Sequence, residues 1–279
     1  MQNPSSPSPS PSSRSPRLNV ADDALFDQHR SRGYHPERPE RLGAARRAID
    51  RAAARAEDRE GSAITLERLS ARDASDDDLA AAHAPAYIET ITRLSGHHAA
   101  IDADTYLAPA SVPAARRAAG ATIAMVDAML APGGAPLGAA LVRPPGHHAT
   151  HDRAMGFCIF NNVAVAAHHA LRRGIQRVAI IDWDVHHGNG TQAIFERDQR
   201  VLYVSLHEAP LYPGTGLSTE AGEGEGDVRR YGGLAGPRWP GQCDEDPLLV
   251  GGRGGFRGRL LVTLLLLLLP LGEVDDALR

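Results

Sequence analysis

The chain has 279 residues, 42% of them hydrophobic, which suits one large α/β domain or two small ones. A net charge of −4 and a pI near 6.3 exclude the strong basic excess of a nucleic-acid binder, and all 30 basic residues are arginine, a codon-composition bias with no functional weight. Two cysteines, Cys158 and Cys243, exclude a disulfide framework and make a reducing compartment the default.

The N-terminal stretch MQNPSSPSPSPSSRSPR is Ser/Pro-rich and lacks the apolar core of a signal peptide. Residues 1–18 are therefore expected to be a disordered tail, and the location cytoplasmic. Residues 22–37 read as loop, running into GYHPERPERL. An Ala/Arg-rich helix is predicted from about Pro39 to about Glu60. SDDDLAAAHAPAYIETI opens on a Ser/Asp cap and predicts a helix broken near Pro85. SVPAARRAAGATIAMVDAML carries Ala118, Ile123, Val126, Met129 and Leu130 at helical spacing.

After APGG the period changes. LGAALVR (Leu137 to Arg143) fits a buried strand, FNNVAVAAHHALRRG a helix stopped at Gly174, RVAIIDW a strand, GTQAIFER a short helix, and RVLYVSLH (Arg200 to His207) a third strand. Strand, helix, strand, helix, strand with short connections predicts an α/β fold, a parallel sheet covered on both faces. From Gly226 onward the Gly/Arg-rich text shows neither period, and no element is predicted in 226–259. LLVTLLLLLLPL, Leu260 to Leu271, is twelve residues long. A helix needs roughly 20 to cross a bilayer, so a membrane span is not expected.

Sites in parallel sheets lie beyond the carboxyl ends of strands. Three polar clusters fall there: RPPGHH, DVHHGNG and HEAPLYPGTG. On an extended segment Asp184 and His186 project to one side, a carboxylate and an imidazole suited to zinc or another divalent ion, with Asp182 one step deeper. The competing reading is that these acids cap the helix that follows. His147 and His148 stand on a turn stiffened by Pro144 and Pro145, and each needs a partner to fix its tautomer. Asp182 and Asn189 are the candidates. Unlike partners would let the two rings divide acid and base work. The pairs His97–His98 and His168–His169 lie in helix-like text and are assigned no role.

HPERPERL, RPPGHHA, GFCIFNNVAVA, DWDVHHGNGTQ and LYPGTG occur in that order. Together, across roughly residues 20–226, they resemble the zinc-dependent histone deacetylase family, which includes acetylpolyamine amidohydrolases and bacterial deacetylases. Asn189 gives the chain the look of the class II branch. The resemblance implies a three-layer arginase-deacetylase fold over residues 19–226, incomplete at the C-terminus, with 227–279 unassigned. It implies zinc on Asp184 and His186, a catalytic pair His147 and His148 partnered by Asp182 and Asn189, and a tunnel wall at Gly156 and Phe157 with Tyr212 opposite. Asp104 resembles a rim acid that grips substrate. Potassium is implied at Asp182, Asp184, His186, Ser205 and Leu206, and again at Phe195, Asp198 and Val201. The implied substrate is an acetylated lysine side chain or an acetylated polyamine, with no nucleic-acid or membrane partner; oligomeric state is not read.

The sequence departs from the family in one region. The family's third zinc ligand lies in a GFDAH-like motif after PGTG, and its oxyanion tyrosine later still. Neither motif is found here, and CDEDPLLVGG begins too soon after Gly216 to serve. The expectation is a truncated or frameshifted member. The alternatives are an impaired deacetylase or a non-catalytic acyl-binding module, and more remotely an arginase-like dimetal hydrolase, which would need more carboxylates around the DVH segment.

Overall fold

The computed structural model describes residues 16–57 and 64–217, together with two strands at 228–232 and 260–264. Strand β1 is Arg17–Ala21, followed by a 3-10 turn at Ala24–Gln28 that Asp23 caps. Helix α1 is Glu40–Glu57 and strand β2 Thr65–Leu69. Helices α2 (Asp76–Leu79) and α3 (Pro85–Arg93) follow. A two-stranded antiparallel ribbon joins β3 (Ala99–Ala100) to β4 (Tyr106–Leu107). Then come α4 (Ser111–Leu130), β5 (Leu137–Ala140), α5 (Asn162–Arg172), β6 (Arg177–Asp182), α6 (Asn189–Phe195), β7 (Val201–His207), β8 (Val228–Gly232) and β9 (Leu260–Leu264).

The strands form two parallel sheets, in the orders β2-β1-β5 and β8-β7-β6-β9. The class is therefore parallel α/β, as expected, but β5, β6 and β7 are not consecutive neighbours. Strand β5 pairs with β1, and the edge of β6 away from β7 is taken by β9, with Arg177 opposite Leu260. Sequence periodicity shows which segments are strands but carries no information on which strand lies beside which.

Other boundaries differ for local reasons. The expected tail gives way to strand at Arg17, because Leu18 to Ala21 have a partner on either side and Val20 and Ala21 are buried. Residues 1–15 of that tail and residues 58–63 lie outside the described residues, so the predicted end of α1 at Glu60 does too. Strand β5 stops at Ala140, three residues short of Arg143, where the chain turns into the RPPGHH loop. Strand β8 falls inside the stretch where no element was predicted. Pro85 separates α2 from α3 and sits at the start of α3, where its missing N–H costs nothing. His97 and His98 lie in the turn after α3 rather than in a helix. Among the described residues no helix is long and apolar enough to cross a membrane.

Helix α4 links two apolar clusters. Ala118, Ala121 and Met125 join Val20, Phe26 and Leu42, while Ala115, Ile123 and Val126 join α5, β6 and β7 through Phe160, Val163, Ile180 and Tyr203. The back of α4 touches the main chain of the loop before α2. A Cβ on Gly120 would stand 1.8 Å from the Arg72 carbonyl oxygen, and Ala74 N–H donates to the Arg116 carbonyl at 3.0 Å. Backbone cannot swing aside as a side-chain tip can. Gly120→Ala is therefore expected to lower stability by about 1–3 kcal/mol, read as the shift of a urea midpoint; an unchanged midpoint would show that α4 and the loop separate freely.

Candidate active site

The site assembles at the carboxyl ends of β5, β6 and β7. Asp182 is the last residue of β6 and is fully buried. Its Oδ2 lies 2.9 Å from His147 Nδ1 and accepts from the Tyr203 hydroxyl at 3.0 Å, while its Oδ1 accepts from Asp184 N–H at 3.2 Å. The glycines of HHGNG are explained by the crowding around this carboxylate. A Cβ on Gly188 would stand 2.2 Å from Asp182 Oδ2 and 2.4 Å from the Tyr203 oxygen, and one on Gly190 would stand 2.3 Å from the Ala149 carbonyl. Only glycine lets the two loops close on each other.

The two histidines have unlike partners. His148 Nδ1 is 2.8 Å from Asn189 Oδ1. A carbonyl oxygen only accepts, so Nδ1 carries the proton and Nε2 keeps a free lone pair. The Asn189 amide is turned that way round with its NH2 donating to the Met155 thioether at 3.5 Å. The rings of His147 and His148 are 3.9 Å apart. Burial lowers the His148 pKa and the neighbouring His147 adds to this, to about 2, so the ring is neutral. Burial works the same way on His147, but the charge and hydrogen bond of Asp182 outweigh it and raise its pKa. One imidazole is set to accept a proton and the other favours holding one.

Asp184 and His186 meet through a tight turn rather than by extended alternation. Asp184 Oδ1 accepts from His186 N–H at 2.8 Å and lies 2.9 Å from His186 Nδ1. Burial pushes the Asp184 carboxyl up, but the His186 hydrogen bonds and the charge on His147 hold it down at about 2. The helix-capping alternative fails for these acids, since the cap of α6 is Gly188 and has no side-chain bond. Tyr212 stands over the two histidines, with its ring 5.0 Å from His148 and 6.4 Å from His186. A Cβ on Gly156 would touch His148 at 2.4 Å and Tyr212 at 2.9 Å, so the bare backbone of Gly156 forms the wall between them. Phe157 follows at a φ of +69°. Asp104 is raised by burial and by Asp102 beside it, and its charge reaches Tyr212.

The residues expected to hold potassium fall in two places. Ser205 pairs across the sheet with Asp182 and bonds His207 Nδ1 at 2.9 Å, and Leu206 is partly exposed. Phe195, Asp198 and Val201 line successive turns in which Asp198 N–H donates to Phe195 and Val201 N–H to Asp198, both at 3.0 Å, while the Asp198 carboxylate bonds Arg200. His168 and His169 stay on α5, the first against Phe195 and the second on Asp127, away from the site. Tyr203 was not foreseen. The alternation of VLYVSLH, which buries Val201, Tyr203, Ser205 and His207 on one face, was the signal that could have found it.

The chain is 45% identical over 152 residues to a "Probable deacetylase" of Methanothermobacter thermautotrophicus, covering 53% of this chain and 45% of that protein. It is 46% identical over 169 residues to a "Histone deacetylase-like amidohydrolase" of Pseudomonas aeruginosa, covering 60% and 44%. It is 46% identical over 183 residues to the "Polyamine deacetylase HDAC10" of Homo sapiens, covering 61% and 25%. The chain spans less than half the length of each of these relatives. The crystal structure of the HDA15 HD domain superposes with a TM-score of 0.69 at 37% identity, covering 76% of this chain and 62% of that one, and the arginase-deacetylase fold is the one shared. The histone deacetylase domain matches residues 35–231, a span holding every site residue named in this subsection, and the chain belongs to that family.

Proposed function

We propose that this site hydrolyses the amide of an acetylated amine, either acetyl-lysine in a protein or a small acetylated polyamine, with zinc held at Asp184 and His186. The observation that carries the reading is the pair of adjacent, tilted imidazoles with unlike partners, Asp182 and Asn189, set beside a carboxylate–imidazole pair. The names of the relatives point to the same chemistry. An ionised carboxylate and an imidazole nitrogen suit zinc, and they make two of the three protein donors of an ordinary catalytic site. Among the described residues no group of three such donors is found. When bound, zinc supplies polarisation of the amide carbonyl and a water of lowered pKa.

The chain's own residues do the rest. His148, neutral and with Nε2 free, takes the proton of the attacking water and passes it to the departing amine. His147, steadied by Asp182, brings positive charge to the forming oxyanion. The narrow channel past Gly156, Phe157 and Tyr212 selects a long unbranched chain by burying methylenes, at about 0.8 kcal/mol each. Potassium is proposed at the two places described, where it would stiffen the backbone under the site, and the cytoplasm is the proposed location.

Metal analysis and turnover of an acetyl-lysine peptide and of acetylputrescine, with and without chelator, test this. Zinc is expected to bind, Asp184→Ala to abolish its binding, and chelator to stop turnover. Turnover that survives complete zinc removal would overturn the proposal. With no third zinc donor grouped with Asp184 and His186 among the described residues, one second reading is an acyl-binding module, which binding of the peptide without turnover would support.

A further inference from the structure

Phe157 is the single non-glycine residue at positive φ among the described residues. A bulky side chain there is strained and persists only where its surroundings hold it. The holding group comes from 52 residues away: Phe157 N–H donates to Thr105 Oγ1 at 3.1 Å. The Thr105 hydroxyl then spends its one proton on Asp104 Oδ1, also at 3.1 Å. Thr105 is itself pinned, with its N–H on Asp102 Oδ1 at 2.6 Å and its carbonyl accepting from Ile101 at 2.8 Å, and it is buried.

A second tie runs parallel. His35 Nε2 donates to the Asp104 carbonyl at 3.0 Å, since a carbonyl oxygen only accepts, and Nδ1 sits against the Glu37 main chain, 3.1 Å from its N–H nitrogen and 3.0 Å from its carbonyl oxygen. The edge of the same ring meets Phe157 at 4.8 Å.

We propose that Thr105 is a positioning residue: its hydroxyl, accepting from Phe157 and donating to Asp104, joins the channel wall and the rim carboxylate into one rigid unit, with His35 as the second tie. The wall and the acid then keep a fixed spacing, and an acyl-amine chain entering past Phe157 meets a carboxylate already aimed. This rests on the reading of the site as a channel for an acylated amine.

The test has two readouts. The first is amide hydrogen exchange at Phe157, which needs no substrate. Protection is expected in the wild type and in Thr105→Ser, which keeps the hydroxyl, and is lost in the near-isosteric Thr105→Val. A Phe157 amide that exchanges at open-loop rates in the wild type overturns the proposal even if the valine variant fails to fold. The second is binding of a fluorescent acetyl-lysine peptide, expected to weaken about tenfold in Thr105→Val, to recover in Thr105→Ser, and to become insensitive to Asp104→Asn once valine is present. Equal affinities for wild type and valine, or additive losses with Asp104→Asn, overturn the proposal. A wild type that protects Phe157 yet binds no acetylated peptide overturns the channel reading, and the substrate role of Thr105 with it, and the exchange result distinguishes that failure from failure of the clamp.

Discussion

Glu37→Gln should lower the stability of the folded chain by about 3–5 kcal/mol, the cost of breaking a buried ion pair from one side. Arg143 and Glu37 are each 1% exposed. The Arg143 guanidinium bonds both Glu37 carboxylate oxygens, one of them at 2.6 Å, and also the carbonyls of Phe26 at 2.7 Å and His29 at 2.9 Å. The amide of glutamine turns an NH2 toward a donor and leaves the guanidinium charge without its counterion. Arg143 opens the RPPGHH loop, so the pair also anchors the turn that carries His147 and His148. Burial pushes the Glu37 carboxyl up from its ordinary value of 4.5, but the hydrogen bonds from His29 and Arg143, with the Arg143 charge, outweigh it and hold it at about 2. The sign follows: a depressed carboxyl contributes its full stability above about 4.5 and loses it as pH falls toward about 2. Urea midpoints measured across that window should fall with acid in the wild type and fall less steeply in Glu37→Gln. A midpoint at neutral pH equal to that of the wild type would mean that Arg143 finds other anions and that the pair does not hold the loop.

The second large effect is on turnover. His148→Ala should reduce kcat/KM for an acetyl-lysine peptide by about 10²–10⁴-fold, the usual contribution of a positioned general base. Zinc affinity should stay within about twofold, because the donors proposed are Asp184 and His186. The argument is the tautomer: Asn189 takes the Nδ1 proton at 2.8 Å and leaves Nε2 unprotonated on a ring kept neutral by burial. His147 is the poorer candidate for the base, since Asp182 favours its protonated form. A His148→Ala chain as active as the wild type would move the base elsewhere, and loss of zinc in the same variant would show that the two sites are not separable.

Much of this was legible in the sequence. The apolar spacing in α4 and the alternation in β6 and β7 mark elements the structure confirms, because burial of one face leaves a period in the text. The short β1 escaped notice because its four apolar or small residues sit between a Ser/Pro run and an acidic loop, too brief to show a period. The partners of His147 and His148 were named in advance because Asp182 and Asn189 lie in the one polar cluster that ends β6, and the family resemblance assigned each to its ring; the pairing of β5 with β1 gave no such signal. Residues that hold the site rather than form it were harder to see. Tyr203 beneath Asp182, Met155 beside Asn189, Thr105 under Phe157 and Glu37 against Arg143 act through contacts that no local pattern encodes.

By itself, then, the sequence showed the helices and strands from α4 to β7, marked the polar clusters that end β5, β6 and β7, and proposed which side chains bear the chemistry. Tertiary structure alone decided that β5 pairs with β1 while β9 takes the edge of β6, that Asp184 and His186 meet through a turn, and that Phe157, Thr105 and Asp104 are linked. The reason is physical. A side-chain period records whether a residue faces water or core, whereas strand neighbours and hydrogen-bond partners are chosen by the whole chain as it closes its backbone bonds and fills its interior.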